Sequence, residues 1–177
     1  ILMPTLREEI ATGRLHNPTQ KEPLRIFDHG CGNAYLTFAV HYFLDDQDIP
    51  NTIIGIDQRD ESRDRNFQIA TDLGLNDSVS FRAEKIAELV TEKVDLAIAL
   101  HACNTATDDA IAWGVLHNVP LLLIAPCSHH DLQTQMQEIP EPWPMLTRHG
   151  IMRERLGDLL TDSFRTQILK LLGYRVD

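Results

Sequence analysis

Cysteine is scarce, with three residues in 177 and no CxxC spacing. That excludes a disulfide framework and the usual knuckle of a structural zinc site. It fits reduced thiols, so a cytoplasmic protein is expected. Long apolar runs are also missing: none approaches the ~20 residues that span a bilayer. No basic-then-apolar signal segment opens the sequence, and no membrane partner is expected. Basic charge is in deficit, 16 Lys+Arg against 26 Asp+Glu, for a net charge of -10. A phosphate backbone rewards Lys and Arg, so a general nucleic-acid binder is disfavoured. The deficit is uneven: residues 145–177 hold 6 basic and 4 acidic residues, Arg148, Arg153 and Arg155 among them. A solvated helix face is the preferred reading of that cluster.

The remainder is 43% hydrophobic with a mean hydropathy of -0.20. At this length, one globular domain with a real core is expected. The sequence opens at Ile1 and ends on Tyr174-Arg175-Val176-Asp177, which reads as the start of a strand. A fragment truncated at its C-terminal strands is therefore expected.

The chain is organised around residues 24–36, LRIFDHGCGNAYL. Leu24, Ile26 and Phe27 supply the apolar run of a buried parallel strand. Gly30 and Gly32 permit a tight turn and close approach of a ligand. A helix from Ala34 to Leu44 then points free N–H groups back at the turn. Strand, glycine turn and helix in this order bind nucleotide-like cofactors in doubly wound α/β folds. The dinucleotide fingerprint G-x-G-x-x-G is incomplete, because Tyr35 stands where its third glycine belongs. Asp28 puts a carboxylate at the strand's mouth, which repels a pyrophosphate but pairs with an ammonium or sulfonium group.

The rest alternates strands and helices. A helix from Thr5 to Arg14 sits in a polar segment, residues 1–22, that is expected either to lie against the domain or to cover the site. Residues 52–57 form a second strand ending in Asp57, 25 residues beyond Gly32. That is near the spacing at which a carboxylate meets ribose hydroxyls, with Gln58 beside it. A polar helix over 60–73 begins with acids at its positive end and stops at Gly74. Strand 79–84 brings Glu84 to the same edge, where it can accept from an adenine amino group, and a short helix over 85–90 follows. Strand 94–100 runs through Leu100 into His101-Ala102-Cys103-Asn104. Thr105 and Asp108 read as a capping box for helix 106–116. Strand 119–125 runs into Cys127-Ser128-His129-His130. A proline-rich loop occupies most of 131–150. Met152, Leu156, Leu160, Phe164, Ile168 and Leu172 then mark the buried stripe of a helix over 151–172, and 174–176 begin a sixth strand.

This alternation predicts a doubly wound, mostly parallel sheet in three αβα layers. If the strand order is 3-2-1-4-5, strands 1, 4 and 5 are adjacent, and all three cysteines and four of the eight histidines gather at one edge. Three readings of that cluster stay open. His101 with Cys127 or His129 lines a transfer pocket in which an imidazole takes a proton. Alternatively Cys103, Cys127, His101, His129 and His130 supply zinc ligands, or they are packing residues. Cys31, between two turn glycines, mainly needs to be small.

Several motifs together resemble one branch of the class I S-adenosylmethionine (SAM) methyltransferases. DHGCGNAYLTFAV is similar to the branch's D-x-G-x-G-K-G-Y-L-x-F segment, DLAIALHACNTATDDAI to its LHACG-x-x-T-D segment, and APCSHHDL to its (A/P)PCC-x-H segment. The branch includes the methyltransferase domain of the glutathione S-transferase C-terminal-domain-containing protein. The resemblance implies a Rossmann-like methyltransferase domain over 23–177 that transfers methyl groups from SAM to an unidentified RNA, protein or small-molecule acceptor. It implies that Asp28, Gly30, Gly32 and Asn33 contact SAM, Asp57 and Gln58 its ribose, and Glu84 the adenine region. Leu100 and His101 would flank the methionine moiety and the acceptor. The chain departs from the pattern at Asn33, Ala34, Asn104 and Ser128. The D/N-P-P-Y motif of many amino-group methyltransferases is absent. A nicotinamide-dependent oxidoreductase and a non-catalytic assembly domain are the alternatives.

Overall fold

The computed structural model describes residues 2–90, 93–100, 102, 105–126, 129–136 and 141–177. Five strands are present among them: β1 (Leu24–His29), β2 (Asn51–Asp57), β3 (Val79–Ala83), β4 (Leu96–Ala99) and β5 (Leu121–Ile124). Helix α1 (Leu2–Ala11) precedes them, and α2 (Tyr35–Asp45), α3 (Asp60–Asp72) and α4 (Thr105–Leu116) join them. Three more follow: α5 (His130–Gln135), α6 (Pro144–Thr147) and α7 (Gly150–Leu171). All strand pairs are parallel and the order is β3-β2-β1-β4-β5, the doubly wound arrangement expected from the alternation.

The register splits the sheet into two apolar faces, because successive side chains on a strand point oppositely. Leu24 and Ile26 of β1 share one face with Ile53, Leu96 and Ile98, packed beneath Val40 and Leu44 of α2. Leu6 of α1 and Leu15 belong to the same core, so the N-terminal helix is docked on it. On the other face, Phe27, Ala97 and Ala99 pack under Trp113 of α4. Trp113 stacks on Phe27 with ring centroids 5.3 Å apart and donates its indole N–H to the Leu89 carbonyl at 3.0 Å. Aromatic contacts of this kind add to what area burial contributes.

Local geometry departs from the sequence expectation at informative places. Helix α2 begins at Tyr35, not Ala34, because Ala34 is left-handed at φ 58°. The glycine that the resembling family carries at this position is the residue that adopts this φ without strain. Among the described residues, the β3–β4 connection holds one 3-10 turn, Ile86–Glu88, and not a helix over 85–90. Its Ile86 and Leu89 bury as a plug, while the other crossovers carry helices of 11, 13 and 12 residues.

Thr105 is the first helical residue of α4, and Asp108 pairs with Arg165 of α7 at 2.7 Å in place of the expected capping box. The stripe predicted to bury α7 is largely outside: Met152, Phe164, Ile168 and Leu172 are each more than 40% exposed. The helix packs on α5, where Gly157 faces Gln133, and contacts α6, not lengthwise on the sheet. Tyr174–Val176 add no strand. The Tyr174 hydroxyl donates to the Val119 carbonyl at 2.9 Å, and Arg175 clamps Glu8 of α1.

Candidate binding site at the carboxyl edge of the sheet

The loop after β1 is built from two left-handed glycines, Gly30 at φ 71° and Gly32 at φ 54°. A Cβ on Gly30 would reach the Ala102 backbone at 3.4 Å, an ordinary contact distance, so it is the left-handed backbone that reserves the turn for glycine. The N–H groups of Gly30 and Cys31 donate to the Ile56 carbonyl, which pins the turn to the end of β2. Gly55, one residue earlier on β2, lets Cys31 and Phe81 fill the space its side chain would occupy.

Two carboxylates flank this turn. Asp28 is 3% exposed and accepts a 2.6 Å hydrogen bond from the Thr37 hydroxyl, which rises from the first turn of α2. Asp57 accepts from the Gly32 N–H at 3.1 Å and from the Arg59 backbone N–H at 3.0 Å. The Arg59 guanidinium adds contacts at 2.9 and 3.1 Å. Burial pushes the Asp57 carboxyl up, but the hydrogen bonds and charge of Arg59 and the Gly32 N–H outweigh it and hold it below its ordinary value. From α3, Asn66 and Arg65 donate to the Gly32 carbonyl at 2.9 and 3.2 Å.

Between these elements lies a cavity of about 260 Å³, lined by Asp28, Gly30, Cys31, Gly32, Asn33, Tyr35, Leu36 and Leu100. Asp28, Gly30, Gly32, Asn33 and Leu100, expected at the site from sequence, are thus brought together around one hollow. Asp57 adjoins it through its bond to Gly32. Gln58 and Glu84 are exposed at the ends of β2 and β3, and the Glu84 N–H donates to the Asp57 carbonyl at 3.1 Å.

Burial together with the negative charges of Asp28 and Asp57 pushes the Cys31 thiol up to about 12. Its sulfur also occupies the space beside Gly55. His101, Cys103, Asn104, Cys127 and Ser128 lie outside the described residues. His129 is described, and its two ring nitrogens face Asp158 at 3.2 Å and Asp162 at 2.8 Å on α7. It does not line the cavity. His130 bonds Gln133 within α5. Among the described residues no group of three or more His, Cys, Asp or Glu is placed to hold a metal.

Sequence reasoning missed Thr37, Tyr35, Asn66 and Arg59. The first two are signalled only by their position in the first turn of the helix after a glycine turn. Asn66 is 0% exposed in the middle of an otherwise polar helix, a burial that no periodicity reveals. Arg59 had a local signal, two residues after an acid at a strand end.

Parts of the chain are similar to solved structures of limited identity. A geranyl diphosphate methyltransferase in complex with SAM is 18% identical, with a TM-score of 0.47, over 62% of this chain and 43% of its own. A geranyl diphosphate C-methyltransferase from Streptomyces coelicolor A3(2), bound to Mg2+, geranyl diphosphate and S-adenosyl-L-homocysteine, is 15% identical with a TM-score of 0.47. That match covers 63% of this chain and 39% of the other. A SAM-dependent methyltransferase from Thiobacillus denitrificans with S-adenosyl-L-homocysteine is 25% identical with a TM-score of 0.37, covering 53% and 36%. The chain therefore spans less than half the length of these structures. No curated protein matches it. Residues 6–135 match the family described as "Methyltransferase domain", well over half of the sequence, and the chain belongs to that family.

Proposed function

We propose that this chain is the cofactor-binding part of a SAM-dependent methyltransferase that acts on an acceptor still to be identified. The observation that carries the reading is the glycine cradle held between two carboxylates, Asp28 and Asp57. A buried anion at Asp28 suits the ammonium of a methionine moiety. Asp57, at the end of the neighbouring strand, suits vicinal ribose hydroxyls. The donor set therefore fits SAM and opposes a pyrophosphate, which would meet Asp28 at close range.

When bound, the cofactor supplies an electrophilic methyl carbon on a sulfonium. The chain's own residues bind and orient. Thr37 fixes the Asp28 carboxylate, Gly30 and Gly32 keep the cradle free of Cβ atoms, and Asn33 and Leu100 border it. Gln58 and Glu84 stand at the ribose and adenine side. Orientation of donor and acceptor is the main contribution expected of the protein. His101 is assigned as the base that takes the acceptor's proton, and Cys127 as a second residue of the transfer pocket. His129 is given a positioning role, because both ring nitrogens already meet carboxylates. The finer assignments are the branch that includes the glutathione S-transferase C-terminal-domain-containing protein, a cytoplasmic location, and residues 1–22 as a segment docked on a 23–177 domain.

Calorimetric titration of S-adenosyl-L-homocysteine into the chain tests this. Binding that Asp57→Asn weakens about tenfold, the loss of one charge-assisted hydrogen bond, is expected. A folded sample that binds NAD and ignores S-adenosyl-L-homocysteine refutes the assignment.

A further inference from the structure

Three of the four crossovers between adjacent-numbered strands carry a full helix, and the β3–β4 crossover carries one 3-10 turn. The sheet face shared by Arg25, Phe27, Thr52, Ile54 and Arg82 is consequently open where a helix would normally lie. A groove of about 430 Å³ occupies this place, away from the glycine cradle. Its accessible floor is Thr52 and Ile54, beside the buried Phe27, and Val90, 85% exposed, stands at its rim.

The groove is cationic in a chain of net charge -10. Arg25 and Arg82 line it half-buried, and their guanidinium groups make no hydrogen bond or ion pair with the described residues. Lys93 also lines it, with its ammonium 3.7 Å from both Glu22 and the buried Asp95. Arg25 is level with Thr52, and Arg82 with Ile56, on opposite neighbours of β2. Strand spacing and rise place these two Cα atoms roughly 16 Å apart on a diagonal. That is about three turns of an α-helix.

We propose that this face docks an acidic amphipathic helix of a partner protein, in the place left open by the short β3–β4 crossover. The helix would lay an apolar stripe on Ile54, Thr52 and Val90 and offer carboxylates about three turns apart to Arg25 and Arg82. Desolvated guanidinium groups pair with carboxylates bidentately and set register. Single-stranded nucleic acid is disfavoured as occupant, because the floor exposes no ring for bases to stack on and Phe27 is only 3% exposed.

The probes are two helical peptides of about 18 residues with one apolar stripe in common, the flanking positions all Glu in one and all Lys in the other. The chain should bind the Glu peptide at least about tenfold more tightly, by fluorescence anisotropy at moderate salt. Amide shifts should move at Arg25, Thr52, Ile54 and Arg82. Arg25→Glu with Arg82→Glu should invert the preference with an unchanged thermal midpoint. Should that pair fail to fold, Val90→Asp, at an exposed position, should still weaken the Glu peptide several-fold. Equal affinity for the two peptides, shifts mapping elsewhere, displacement of the Glu peptide by a short RNA, or a dimer of the chain that buries this face would each overturn the proposal.

Discussion

Lowering the pH from 7 to 5 should destabilise this protein through one side chain, His29. The imidazole is 0% exposed at the end of β1, with its ring edge-on to Trp113 at 4.8 Å, and neither nitrogen has a hydrogen-bond partner among the described residues. Burial, with the nearby His117 adding to it, pulls its pKa down to about 4 from 6.5. The folded state thus binds the proton less readily than the unfolded chain. Stability from this group is fully present above pH 6.5 and is lost as pH falls towards 4. A depression of this size corresponds to about 3 kcal/mol in full, of which about 2 kcal/mol is lost between pH 7 and pH 5. That is a large share of a typical folding free energy.

Urea unfolding followed by tryptophan fluorescence at intervals across this range would measure it, native beside His29→Leu. Carboxylate contributions are common to both proteins and cancel in the difference. The leucine also removes two unsatisfied buried nitrogens, so the variant should be no less stable at pH 7 and clearly more stable than the native chain at pH 5. A native-minus-variant difference that stays constant from pH 7 to pH 5 refutes the reasoning.

Thr37→Val removes the hydroxyl that orients Asp28 and should weaken S-adenosyl-L-homocysteine about tenfold by calorimetry while leaving the thermal midpoint within a few degrees. Arg59→Ala frees both Asp57 oxygens from the guanidinium and should tighten the same ligand several-fold. Weaker binding instead would mean that Arg59 holds Asp57 in position. Gly55→Ala would put a Cβ 2.6 Å from the Phe81 ring and 3.1 Å from the Cys31 sulfur, and should cost about 1–3 kcal/mol in urea unfolding.

Much of the architecture was legible in the linear order of residues. The β-branched and apolar runs from Leu24 and at 52–57, 79–84, 94–100 and 119–125, alternating with expected helices, point to a parallel sheet. Glycines at 30 and 32 mark a turn that only left-handed residues can make, and acids at 28 and 57 fall at strand ends because strand length is local information. Parallel strands with right-handed crossovers then carry those residues to one edge. Tertiary structure alone decided which of them acquired partners. Thr37 meets Asp28, Asn66 meets Gly32, and Arg59 occupies Asp57 because of how α2 and α3 lie on the sheet. His29 became a buried neutral imidazole because Trp113, 84 residues on, packs against it. The periodic stripe of α7 predicted burial, but a period reports only that one helix face is apolar and not what lies opposite it. That helix found α5 and α6 as its support, and the short β3–β4 crossover left a cationic face open, because both outcomes depend on the packing of segments far apart in sequence.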